Sequence, residues 1–207
     1  MRRTRAALTL AAAMLALGIA AGGGRASAAD AQNVKCHSGD ILTGVYHNVD
    51  VPPGNFCLLL GATVLGNVTA NNAIQLGIDN STVNGNVEAH NVTDNGWVCG
   101  STIGHNVDIA NADQSSAEPG SWFIGDASWC IPQFDPVPGN YIGGNLSFQY
   151  NENGGSISNN DIEGNLTCEK NTPPPTGTND AVDGNATGQC AGMAGGVDDI
   201  ASPPDSD

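Results

Sequence analysis

Glu88 and Asp108 are the first residues in this chain whose type and spacing suggest chemistry. Each stands two residues after a recurring Asn, Asn86 and Asn106, so both occupy one phase of consecutive repeats. A second group, Asp161, Glu163, Asp180 and Asp183, gathers towards the C-terminus. Two carboxylates facing each other across a glycosidic bond can act as acid and as base or nucleophile. Acids that project from a repetitive surface are ordinarily solvated, however, and no sequence feature marks a walled cleft around either group. His37, His47, His90 and His105 fall in different phases of the repeat, so they build no Ser-His-Asp arrangement. No Arg lies beyond residue 28, which leaves no guanidinium to neutralise an anionic polysaccharide. A catalytic role is therefore not expected.

The six cysteines, Cys36, Cys57, Cys99, Cys130, Cys168 and Cys190, are the second chemical feature. An even count in an exported chain reads as disulfides, and no CxxC spacing or paired His argues for a metal. Neighbour pairing predicts Cys36–Cys57 near one end of the repeats and Cys168–Cys190 near the other. Cys99 and Cys130 are left, and their phases match less well. No cofactor is expected, and the dense negative charge leaves Ca²⁺ open as a weak, distributed partner.

The elements that must position these side chains are repeats. Asn48, Asn67, Asn86, Asn106, Asp126, Asn145, Asn165 and Asn185 recur every 19 or 20 residues. A fixed period of this length marks a solenoid, in which each coil buries its apolar side only by stacking on the next. Three residues before the anchors stand Val45, Val64, Val83, Ile103, Phe123, Ile142, Ile162 and Val182. One residue after them stand Val49, Val68, Val87, Val107, Ala127, Leu146, Leu166 and Ala186. These columns are largely β-branched, as short strands require. A third apolar column runs through Leu59, Ile78, Val98, Val137 and Ile157, with Glu118 as its exception. Gly61, Asn80, Gly100, Gly120, Gly139, Asn159 and Asn179 form a corner column of residues that tolerate left-handed backbone, broken only by Leu42. The expected fold is all-β, a single-stranded parallel β-helix of about eight coils. The repeated amides Asn48, Asn67, Asn86, Asn106, Asn145, Asn165 and Asn185 are expected to form a structural hydrogen-bonded ladder.

Residues 1–28 read as an export signal: Arg2, Arg3 and Arg5, an apolar run from Ala6 to Ala21, then Ala26-Ser27-Ala28 as a small-residue cleavage site. The run is too short and Ala-rich for a membrane span, and no lipid-anchoring Cys follows it. Residues 29–192 form the solenoid, and residues 193–207 an acidic tail expected to be disordered. Cleavage leaves Lys35 and Lys170 against 21 acids, a net charge of about −19. Such a chain cannot neutralise phosphates, which excludes nucleic acid, and it is repelled by anionic lipid or polysaccharide.

Ala112 to Gly120 and Cys130 to Gly139 break the pattern as polar, Pro-bearing stretches. With Trp97, Trp122 and Phe134 they could frame an aromatic patch for a sugar or a peptide. Thr63, Thr82 and Thr102 stack as a possible ice-binding face, but Trp122, Tyr141, Asp161 and Ala181 interrupt the ladder.

The alternation in Thr63-Val64-Leu65-Gly66-Asn67-Val68-Thr69-Ala70 and in Thr82-Val83-Asn84-Gly85-Asn86-Val87-Glu88-Ala89 resembles the coil signature of bactofilin-like, polymer-forming β-helix proteins. Residues 34–192 look more closely like a widespread family of secreted bacterial proteins of unknown function. That likeness is carried by Gly164-Asn165-Leu166-Thr167-Cys168, Asn171, Pro173, Pro175-Thr176-Gly177, Asn179, Val182, Gly184-Asn185 and Gln189-Cys190. It implies a right-handed β-helix without a known enzyme activity. The expected role is a secreted structural or interaction protein of the cell envelope or extracellular space, with a neutral glycan or another envelope protein as partner and homo-oligomers allowed. The alternative is a carbohydrate-binding or weakly hydrolytic β-helix acting through the aromatics and carboxylates.

Overall fold

The computed structural model describes residues 31–112, 122–125 and 139–195. The expected export signal at residues 1–28, together with Glu118, Gly120, Asp126, Ala127, Cys130, Phe134, Val137 and the tail beyond residue 195, lies outside them. The described chain is all-β and winds into a parallel β-solenoid of about six turns with three sheets. A typical coil contributes three short strands, for example Thr63–Val64, Val68–Asn71 and Gln75–Asp79. Every strand pairs in parallel with its equivalent in the neighbouring coils.

Sheet 1 has eight strands, from Val34–Lys35 through Val49–Val51, Val68–Asn71, Val87–His90, Val107–Ala110, Leu146–Gln149 and Leu166–Glu169 to Ala186–Gly188. Period-2 alternation turns Val68, Ala70, Val87, Ala89, Val107, Ile109, Leu146 and Phe148 inward, all fully buried. Sheet 2 has six strands and sheet 3 has seven. Sheet 3 is made of two-residue strands such as Thr82–Val83 and Thr102–Ile103, each giving one residue to the core.

The corners follow from backbone chemistry. Gly61, Asn80, Gly100, Gly125, Asn159 and Asn179 all have positive φ, between 44° and 76°. A second corner, after sheet 1, places Asn72, Asn91, Asn111, Tyr150 and Lys170 in the same left-handed region. Tyr150 and Lys170 adopt it with a mutual contact, the Lys170 ammonium donating to the Tyr150 hydroxyl at 2.9 Å.

Four column assignments require correction. Trp122–Ile124 pairs with Gly96–Val98 on one side and Gly155–Ile157 on the other, in sheet 2. Phe123 therefore faces outward, and Ile124 continues the column Leu59, Ile78, Val98 and Ile157 that Val137 was expected to fill. In sheet 1, Val107 pairs directly with Leu146, which leaves no rung between them, and the solenoid has about six turns where eight coils were expected. The physical reason lies in the core, where Trp122 is fully buried and fills the room left by Gly96; a Cβ on Gly96 would lie 2.5 Å from its ring. Tyr46, not Val45, aligns with Val64. The first coil reaches its anchor through His47 alone, where the next uses Leu65 and Gly66, and this shifts the phase by one residue.

Both terminal coils carry a disulfide. Cys36–Cys57 and Cys168–Cys190 have Cα separations of 5.8 and 5.3 Å, within the usual range for a bridge. Cys99 is also disulfide-bonded and fully buried.

Candidate functional site

The outward face of sheet 1 gathers most of the candidate residues. Its central row, in register, reads Lys35, Asp50, Thr69, Glu88, Asp108, Ser147, Thr167 and Thr187. A flanking row carries Asn71, His90, Ala110, Gln149 and Glu169. Stacked coils bring equivalent residues roughly 4.8 Å apart, so Glu88 and Asp108 are immediate neighbours. His90 Nε2 lies 3.0 Å from Asp108 Oδ2, both side chains being partly exposed.

The anchor amides border this face. The backbone N–H of Asn67 donates to Oδ1 of Asn48 at 2.8 Å. Asn86 repeats the bond on Asn67 at 2.8 Å, Asn106 on Asn86 at 3.1 Å and Asn145 on Asn106 at 2.9 Å. Asn165 bonds Asn145 at 2.8 Å, and Asn185 bonds Asn165 at 2.9 Å. The step from Asn106 to Asn145 spans 39 residues but is a single rung of this ladder. Gly precedes most anchors because a Cβ there, as at Gly85, would run into the Asn67 side chain and the Gly66 carbonyl of the preceding coil.

Asn86, Glu88, Asn106, Asp108, Asn145 and Ser147 line a shallow depression of about 320 Å³. Chemically it can accept hydroxyl or ammonium donors on two carboxylates. It does not set two carboxylates on opposite sides of a bond, because Glu88 and Asp108 rise side by side from one sheet. Among the described residues no group of three or more His, Cys, Asp or Glu side chains is arranged to hold a metal ion.

The second acidic group divides. Asp161, Glu163 and Asp183 surround Tyr141 on the outer surface, where the Tyr141 hydroxyl bonds Glu163. That bond, then burial and the charges of Glu163, Asp161 and Asp183 raise the Tyr141 pKa above the usual tyrosine value. Asp180 instead turns inward and is fully buried.

The expected aromatic patch loses one of its three residues. Trp122 points into the core, which removes it from any exposed surface, and Phe134 lies outside the described residues. Trp97 remains on the outer face of sheet 2 beside Phe123, its indole N–H donating to Asp79 at 2.8 Å. In sheet 3, Thr63, Thr82 and Thr102 do stack, and Tyr141, Asp161 and Ala181 follow them.

Two interior ladders were missed by sequence reasoning. One joins Ser81, Ser101, Asn140, Asn160 and Asp180, where Ser81 N–H donates to Ser101 Oγ and Ser101 N–H to Asn140 Oδ1. The other joins Asn151, Asn171 and Gln189. The available signal was the 20-residue spacing of Asn140 with Asn160 and of Asn151 with Asn171. No family model matches the chain, and no curated protein or solved structure matches it.

Proposed function

We propose that this chain is a secreted, non-catalytic structural or interaction protein that works at the cell envelope or in the extracellular space. The observation that supports this reading most is the eight-stranded sheet, bordered by the anchor-amide ladder from Asn48 to Asn185, with a disulfide in the first and last coils. Such a body resists fraying at the ends, where stacking exists on one side only. Its outward rows offer amides, hydroxyls and carboxylates at one regular spacing, which suits a repetitive or extended partner. The partner classes in keeping with the acidic surface are a neutral glycan or another envelope protein. The coil signature's resemblance to bactofilin-like proteins fits a scaffolding role.

A second reading, a carbohydrate-binding or weakly hydrolytic protein, is favoured by one feature only, the depression holding Glu88 and Asp108. The two separate in an assay of the purified protein against a panel of glycans and against envelope fractions. Retention by envelope material without turnover of neutral or acidic glycans is expected. Glycan hydrolysis that disappears in Glu88→Gln or Asp108→Asn would overturn the scaffold reading.

A further inference from the structure

One buried ladder ends on an acid where the two coils before it carry amides. In that ladder the Asn140 Nδ2 donates to the Val98 carbonyl at 2.7 Å, and the Asn160 Nδ2 donates to the Ile124 carbonyl at 3.0 Å. Val98, Ile124 and Ile157 are successive partners in sheet 2, so each rung ties its corner to the strand of a preceding coil. Asp180 is the next rung. Its Oδ1 takes the ladder's acceptor role, receiving the Asn160 backbone N–H at 2.9 Å and the Asn160 Nδ2 at 2.8 Å. Its Oδ2 stands where an amide would carry donors, buried and without a hydrogen-bond partner. A neutral carboxyl can donate from that oxygen; an ionised one leaves an unpaired charge in a fully buried position.

Among the described residues, the groups around Asp180 cannot relieve such a charge. Asn160, Thr178 and Asn179 are neutral, and so are Ala194 and Gly195, which close over it through a bridge to Ala194 and the Gly195 N–H bond to the Asp180 carbonyl at 2.9 Å. The acids of the adjoining strands, Asp161 and Glu163 on the preceding coil and Asp183 on its own, group around Tyr141 on the outer surface. Burial raises the Asp180 pKa above the ordinary aspartate value, and the two Asn160 bonds only partly oppose it.

We propose that Asp180 is a proton-operated latch that holds the last strand of sheet 3, Ala181–Val182, and the closing segment 193–195 in place while neutral and loosens them when ionised. The bridge Cys168–Cys190 keeps the rest of the terminal coil attached. Opening would therefore be local, uncovering the edge of the strand Asp161–Ile162.

The linkage has a definite sign. The closed state binds the proton more tightly than the open one, so closure is fully favoured below the open-state value of about 3.9. It weakens about tenfold per pH unit as pH rises towards the closed-state pKa, and levels off above it. Amide hydrogen exchange on the intact protein, corrected for intrinsic exchange, tests this at Ala181, Asp183 and Gly195, whose N–H groups bond Asn160, Ile162 and Asp180. Wild type is expected to lose protection at these amides across that window. Asp180→Asn, which restores the donor, should remain protected throughout, while Asp183→Asn should follow wild type. The same pH dependence in wild type and Asp180→Asn would overturn the latch. So would a carboxyl carbon resonance of Asp180 that titrates at the ordinary aspartate value.

Discussion

Replacing Gly96 and Trp122 singly and together tests the least regular turn of the solenoid. The two residues are register partners in sheet 2, and the Trp122 ring occupies the space a side chain on Gly96 would need, with Cη2 and Cζ2 each 2.5 Å from an added Cβ. On the other flank of Trp122 the partner is Gly155, so the inward row runs Leu76, Gly96, Trp122, Gly155, alternating large with small. Gly96→Ala overpacks this row and should cost about 1–3 kcal/mol. Trp122→Ala removes a fully buried indole and should cost about 3–5 kcal/mol. In the double variant the new methyl enters the vacated space, and replacing a strand glycine recovers roughly 0.5–1 kcal/mol. Gly96→Ala should thus turn from harmful to neutral or favourable, a coupling of roughly 2–3 kcal/mol. Urea denaturation followed by circular dichroism, with disulfides intact, measures all four proteins. Additivity within about 0.5 kcal/mol would refute the inward placement of Trp122 and restore Phe123 as the core residue.

Val83 is fully buried between Val64 and Ile103, so Val83→Asp should cost several kcal/mol, whereas Glu88→Ala on the outer face should change stability by no more than about 0.5 kcal/mol; equal melting temperatures would contradict the register of sheets 1 and 3. The bridges Cys36–Cys57 and Cys168–Cys190 join residues 21 and 22 apart, so the chain-entropy model assigns each about 3 kcal/mol. Replacing either pair by Ser should lower the free energy of unfolding by a similar amount, and a variant as stable as wild type would remove the end staples from the account of stability.

Counting residues from an anchor reveals whether a side chain points in or out only while the coils keep one length. From Asn67 to Asn106 the lengths differ by one residue only, 19 and then 20, and the inward residues Val64, Val68, Val83, Val87, Ile103 and Val107 were legible from β-branched columns alone. Between Asn106 and Asn145 the rule fails, because Phe123, Asp126 and Ala127 imitate the spacing of an apolar residue, anchor and apolar residue while Trp122–Ile124 belongs to sheet 2. Hydrophobicity could not discriminate Trp122 from Phe123, since both are large and aromatic. Volume could have done so: Gly96 occupies an inward position that Leu76 fills one coil earlier, and a missing side chain in a stacked core requires a large neighbour. The same limit hid the interior ladders, because Asn140, Asn160, Asn151 and Asn171 read as polar corners until stacking brings each within 3.0 Å of the next rung. It also separated Asp180 from the surface acids. Asp161, Glu163 and Asp183 take outward positions, whereas Asp180 follows Asn160 by 20 residues and inherits a position that in the two coils before it holds an amide. In a solenoid, then, the informative comparison for a titratable residue is the residue one coil away, and a carboxylate that replaces an amide on a buried rung is where the repeat acquires a charge it must either protonate or expel.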